Sequence, residues 1–304
     1  TMKMILTIFS IFIFFSAMVE AAELKVLCVG NSFASSVIKD LRAIAKAEGC
    51  NLKIFAFTCL PGASMEGHLK NAKQEEANPE LRCYQLTPAK KAKMREILTM
   101  EKWDIITIQQ FSRISYMPET YFPWAEELSA YIRRYAPQAE IVFQQTWRYR
   151  EDHGIYKNGK LSPLTMYERL TDAYREAATK LSLRVIPAGP AIELALTKQA
   201  GVFRPLSKEQ SLSPAGTPVP EPYALHEGWI WKKTNSSMNA RFDGMHLNER
   251  GKYLQACVWY GFLFKKDPET IRWKPSEMDL QDAIFLKMCA KEALQNGLDT
   301  VIKR

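Results

Sequence analysis

Histidine is scarce in this 304-residue sequence, where His68, His153, His226 and His246 are the only four. They stand far apart and no CxxC pair occurs, so nothing has the ligand spacing of a structural zinc site. The net charge is +8, but the basic residues form no block. Without clustering there is no basic patch for nucleic acid. The charge reads as solubility, with some attraction to anionic glycans or surfaces. After the N-terminal segment, no apolar run approaches the roughly 20 residues of a membrane-spanning helix. No internal repeat is visible, and no cofactor is implied.

What is present begins with an export pattern. Lys3 supplies a positive start, Ile5 to Ala17 is an almost unbroken apolar run, and Val19-Glu20-Ala21 offers small residues where cleavage requires them. About 13 apolar residues are too few for a membrane anchor. Residues 1–21 therefore read as a signal peptide, and residues 22–304 as one exported domain, periplasmic or extracellular, with no stable membrane anchor. No cysteine follows the cleavage point to carry a lipid. Six cysteines in an oxidising compartment allow three disulfides. Cys28 and Cys257 sit on apolar faces and read as core thiols, whereas Cys59 and Cys83 flank one insertion and are the expected pair. Apolar residues make up 47% of the chain, enough for a large core.

Short apolar runs alternate with helical patterns. Strands are expected at Leu24–Val29, Leu52–Phe57, Asp104–Ile108, Glu140–Phe143 and Arg184–Ile186. A helix from about Phe33, with Val37, Leu41, Ile44 and Ala45 on one face, should end at Gly49. Further helices are expected at Ala89–Leu98, around Tyr121–Tyr135 and at Met166–Leu181. This alternation predicts an α/β fold, a three-layer α/β/α sandwich around a mostly parallel five-stranded sheet. Two polar or proline-rich stretches, about 71–88 and 201–241, break the rhythm and read as insertions. In the second, Gly228-Trp229-Ile230-Trp231 alternates as a short strand. Its tryptophans either pack the insertion onto the body or face a substrate.

Open parallel sheets carry their reactive groups beyond the carboxyl ends of the strands. After the first strand comes Gly30-Asn31-Ser32-Phe33, with Ser32 at a helix start, where negative charge is favoured. As a plain N-cap it would need no chemistry. After the second comes Pro61-Gly62-Ala63-Ser64, where a glycine lets a backbone N–H approach a ligand. Gln109 and Gln110 follow the third strand, and Gln145-Thr146-Trp147 the fourth. Asp243-Gly244-Met245-His246-Leu247-Asn248 precedes a helix, and its spacing lets the carboxylate orient its own imidazole.

These ordered blocks resemble those of the SGNH/GDSL hydrolases. They are similar in particular to a branch found among exported bacterial proteins, with GNSF, QQxS, QTW and DGxHLN blocks. The resemblance covers residues 22–304 and implies a flavodoxin-like fold, with Ser32 as nucleophile and Asp243 and His246 completing a triad. It also implies the backbone N–H groups of Ser32 and Gly62 as oxyanion donors. The usual Asp before the serine is Asn31 here, and the third-block Asn is missing. Gln109 or Gln110 must replace it; Gln109, the first side chain past the strand, is expected in the oxyanion hole. Gln110, Gln145 and Trp147 are then expected to bind substrate. The implied activity is serine ester hydrolysis, without a metal, on a small-molecule or glycan ester. O-acyl groups on a carbohydrate are favoured, with lipid or aryl esters next. A non-catalytic glycan binder is the reading from another class; a metal-dependent phosphoesterase lacks its ligand clusters.

Overall fold

Nearly every position of Leu24–Val29 is apolar, and it forms the central strand β1, with Val26 and Cys28 facing one side and Leu27 and Val29 the other. The computed structural model describes residues 22–56, 58–234 and 237–299. The expected signal segment and Phe57 lie outside these residues. In chain order, β1 is followed by α1 (Ser32–Ser35), α2 (Ile38–Ala47), β2 (Leu52–Phe55), α3 (Met65–Ala77), β3 (Tyr84–Thr87) and β4 (Lys90–Ala92). Next come α4 (Met94–Thr99), β5 (Ile105–Ile108), α5 (Trp124–Tyr135), β6 (Glu140–Gln144), α6 (Pro163–Leu181), β7 (Arg184–Ile186) and α7 (Ala188–Lys198). A long connection leads to β8 (His226–Lys233), β9 (Met238–Leu247), α8 (Glu249–Phe264) and α9 (Leu280–Asn296).

The five expected strands pair in parallel in the order β2-β1-β5-β6-β7. Helices α2, α7, α8 and α9 bury their apolar residues on one face, and α3, α4 and α5 on the other, with α6 contributing to both cores. The fold is thus the three-layer α/β/α sandwich that the alternation predicts. The chain moves from β1 outward to β2, then crosses to β5 on the other side. That reversal opens a crevice at the carboxyl ends of β1 and β5, where such sheets bind ligands.

Three local expectations change. The helix from Phe33 is two helices, because the Phe33 carbonyl accepts from Ser36 Oγ at 2.8 Å and Gln255 Nε2 at 3.1 Å, which interrupts the ladder. The stretch at 71–88 is half helix, the end of α3, and half hairpin, since β3 pairs antiparallel with β4 where a helix from Ala89 was expected. All six cysteines are free thiols. Cys59 and Cys83 pack against opposite cores of the sheet, so the expected bridge does not form. No helix among the described residues is long and apolar enough to cross a membrane.

Two of the four histidines, His68 and His226, are buried structural groups. His68 on α3 bonds through Nε2 to the Gly30 carbonyl at 2.8 Å and through Nδ1 to Tyr84 Oη at 3.1 Å. His226 on β8 bonds through Nε2 to the Arg148 carbonyl at 2.9 Å. Burial pushes His68 down to about 4. Burial, aided by the Arg148 charge, pushes His226 down to about 3. Both folded values lie below the unfolded value of roughly 6.5, so the unfolded chain takes up these protons first. Their stabilisation is full above pH ~6.5 and is lost as pH falls towards 4. Urea unfolding should show a loss of about 3 kcal/mol between pH 6.5 and 5. His68→Gln and His226→Gln should each remove about half of that slope, whatever they do to stability at pH 7.

Candidate active site

Ser32 opens α1 directly beyond β1, and Asn31 caps the turn by accepting the Phe33 N–H at 3.1 Å. Ser32 Oγ lies 2.8 Å from His246 Nε2. The other ring nitrogen, Nδ1, lies 3.0 and 2.9 Å from the two oxygens of Asp243. A carboxylate can only accept, so Nδ1 carries the proton and Nε2 is left to accept from the serine. The His246 side chain is 33% exposed and Asp243 only 3%, so a substrate meets the imidazole and not the carboxylate.

Asp243 and His246 lie on a strand, β9, where a spacing of three would ordinarily put them on opposite faces. A bulge resolves this. Gly228 pairs with Asp243 but His226 pairs with Leu247, so residues 244–246 stand opposite Glu227 alone and the β9 side carries two extra residues. The bulge folds onto its own carboxylate: Asp243 Oδ1 accepts the backbone N–H groups of Met245 at 3.2 Å and His246 at 3.1 Å. Burial pushes the Asp243 carboxyl up, but these bonds and the His246 ring outweigh it and hold it well below the usual carboxylate range. Asp243 is therefore ionised at neutral pH.

Asn31 gathers three loops. Its Oδ1 accepts from Gln109 Nε2 at 2.7 Å as well as from Phe33, and its Nδ2 donates to the Ala63 carbonyl at 2.9 Å. The loops after β1, β2 and β5 are thus held to one amide. An aspartate has no hydrogen to give Ala63, which explains the asparagine at this position. Gln109 is correspondingly turned away from the expected oxyanion position: it is buried, its amide serves Asn31, and it does not line the cleft. Gly30 makes room for it, since a Cβ there would come within 2.8 Å of Gln109 Oε1. The backbone N–H groups of Ser32 and Gly62 donate to no acceptor among the described residues. Gly62 presents its N–H from a left-handed conformation (φ +67°) that disfavours any side chain.

The other expected substrate-binding residues are internal supports. Gln110 is fully buried, donating to the Thr120 carbonyl at 2.7 Å and accepting the Phe111 N–H at 2.9 Å. Gln145 donates to Thr171 Oγ1 at 3.0 Å beneath the site. Trp147 is buried and stacks on Phe33 with ring centroids 4.1 Å apart, while its Nε1 donates to the Met245 carbonyl at 3.0 Å. Phe33 is thus clamped between Trp147 and the edge of the His246 ring, whose centroid is 5.5 Å away. Trp231 is tied into the insertion by Ser211 Oγ at 3.0 Å, and Trp229 packs edge-on to Phe242, in line with a packing role for both.

The space beside Ser32 is a half-open cleft of about 430 Å³. Asn31, Phe33, Pro61, Gly62, Phe111, Ser112, Arg113 and Met245 line it together with Ser32 and His246. Sequence reasoning missed Phe111, Arg113 and Met245 as lining residues, and their place beside strand ends was the only signal. It also missed Gln255, buried on α8, which donates to the Phe33 carbonyl and accepts from Ser36 Oγ at 3.0 Å. A lone glutamine on an apolar helix face was a legible sign of a specific bond. Among the described residues no three His, Cys, Asp or Glu side chains gather as a metal cluster.

A family model described as a domain of unknown function, DUF4886, matches residues 25–211, more than half of the chain. The chain belongs to the DUF4886 family. A solved structure of a DUF4886 family protein from Bacteroides uniformis is 24% identical with a TM-score of 0.71, covering 92% of this chain and 98% of that one. It shares the fold. A possible lipase from Chitinophaga pinensis is 12% identical with a TM-score of 0.45, covering 80% of this chain and 98% of that one. An acetyl xylan esterase is 10% identical with a TM-score of 0.44, covering 79% of this chain and 99% of that one. No curated protein matches the chain.

The Asn31 junction makes a distinct prediction for each of two variants. Asn31→Asp should cost about 1 to 3 kcal/mol in chemical denaturation, because a carboxylate then faces the Ala63 carbonyl. Gln109→Ala should cost about 1 kcal/mol. Its effect on kcat for an activated ester should stay within about tenfold, well short of the hundredfold or more expected for losing an oxyanion donor. A hundredfold fall in kcat at unchanged stability would return Gln109 to the oxyanion hole.

Proposed function

We propose that this protein is an exported serine ester hydrolase acting through an acyl-Ser32 intermediate. The observation that carries this reading is the unbroken relay from Ser32 through His246 to the buried Asp243, opening on a cleft beside two unoccupied backbone N–H groups. In the first half-reaction Ser32 Oγ attacks the ester carbonyl carbon while His246 Nε2 takes its proton. The resulting oxyanion is held by the Ser32 and Gly62 N–H groups, with the start of α1 contributing favourable backbone polarity. His246 then returns the proton to the departing alkoxide. Water enters, loses a proton to His246 and releases the acid in the same way.

The substrate class we favour is an O-acylated, most simply O-acetylated, carbohydrate. Phe111 and Met245, both partly exposed, offer apolar surface of the kind that packs against the C–H face of a sugar ring. The residues carrying the resemblance to SGNH/GDSL hydrolases support the same chemistry. A panel of acetylated sugars and short-chain aryl esters tests the substrate class, with acetylated sugars expected to be preferred.

Ser32→Ala and His246→Ala should each abolish nearly all turnover of 4-nitrophenyl acetate, and the double variant should lose little more, because the groups act as one unit. Asp243→Asn should lower kcat by about 10⁴ by removing the group that fixes the tautomer. A fluorophosphonate should label Ser32 by mass spectrometry. An unlabelled, inactive protein that still binds glycans would identify the non-catalytic binder instead.

A further inference from the structure

The cleft is apolar around the Ser32–His246 pair, and no carboxylate lines it. Its single permanently charged lining residue is Arg113, an exposed side chain on the loop after β5. Among the described residues its guanidinium enters no hydrogen bond or ion pair. Other arginines nearby are neutralised: Arg148 by Glu193 at 2.6 Å and Arg241 by Asp243 at 3.2 Å. The backbone that carries Arg113 is held in place by its loop. Ser112, buried next to it, accepts from Tyr149 Oη at 3.1 Å through its hydroxyl and from Ser115 Oγ at 3.1 Å through its carbonyl. The Ile114 N–H closes the turn on the Phe111 carbonyl at 3.0 Å.

Building on the esterase reading, we propose that Arg113 selects esters that carry a carboxylate close to the scissile bond, as an O-acylated uronic acid does. A guanidinium meets a carboxylate through two parallel hydrogen bonds, a geometry no neutral hydroxyl reproduces. Apolar walls beside it raise the strength of that pair above that of a fully exposed one. The net charge of +8 favours the approach of anionic substrates in general.

The test compares kcat/KM for 3-acetoxybenzoate and 3-acetoxybenzamide, matched in shape and differing in charge. The wild type should favour the carboxylate. The ratio should fall about tenfold in Arg113→Gln, recover in part in Arg113→Lys, and shrink with added salt in the wild type only. A ratio that is the same in wild type and Arg113→Gln overturns the inference. So does failure to cleave either compound while 4-nitrophenyl acetate is still hydrolysed in a Ser32-dependent way, and in both cases the esterase reading stands. Loss of all three activities in the wild type would sink both.

Discussion

The hydrogen bonds of one buried amide, Asn31, fix the relation between the loops that build the cleft. Its oxygen receives Gln109 and Phe33, and its nitrogen reaches Ala63. Through these bonds the serine turn, the Gly62 turn and the end of β5 share one origin. The amide suits this because it donates and accepts at once, whereas a carboxylate only accepts. For the proposed attack of Ser32 on a carbonyl held by two N–H groups, displacements on the order of 1 Å would cost on the order of a hundredfold in rate. A rigid polar junction beneath the serine addresses that constraint directly. His68 extends it, holding the Gly30 carbonyl from below.

The imidazole reaches the serine from the far end of the chain, and its placement depends on different forces. The β9 bulge turns Asp243 and His246 to the same side, and α8 then docks on the sheet face that also carries α2. Gln255 makes this docking directional, because it bonds to the serine helix at both the Phe33 carbonyl and Ser36. Apolar burial of α8 supplies most of the stabilisation, but burial alone has no preferred register. The Gln255 bonds and the Trp147–Phe33–His246 stack supply that register. Trp147 and Phe33, both buried, therefore position Ser32 and His246 more than they face the cleft's open space.

Much of this was readable in the residues themselves. Buried parallel strands are continuous apolar runs, so all five strands of the sheet and the three-layer architecture follow from pattern. Strand ends in such a sheet converge at one edge, so the candidate groups after β1 and β2, together with the DxxH block, were nameable in advance. The direction of a side chain at a strand end is another matter. Gln109, Gln110, Gln145 and Trp147 all stand where the sequence places them, next to the site, yet every one points inward. Which way a polar side chain turns is set by unsatisfied partners contributed from distant segments, such as Thr120, Thr171 and Asn31. Those partners have no signature in the local sequence. The sequence by itself determined the layers, the strand order's raw material and the candidate groups Ser32, Asp243 and His246, because these depend on periodicity and residue chemistry. Only the tertiary structure decided which neighbours face the cleft, that Asp243 and His246 share a side of one strand, and that Arg113 stands alone there, because each depends on contacts between segments far apart in the chain.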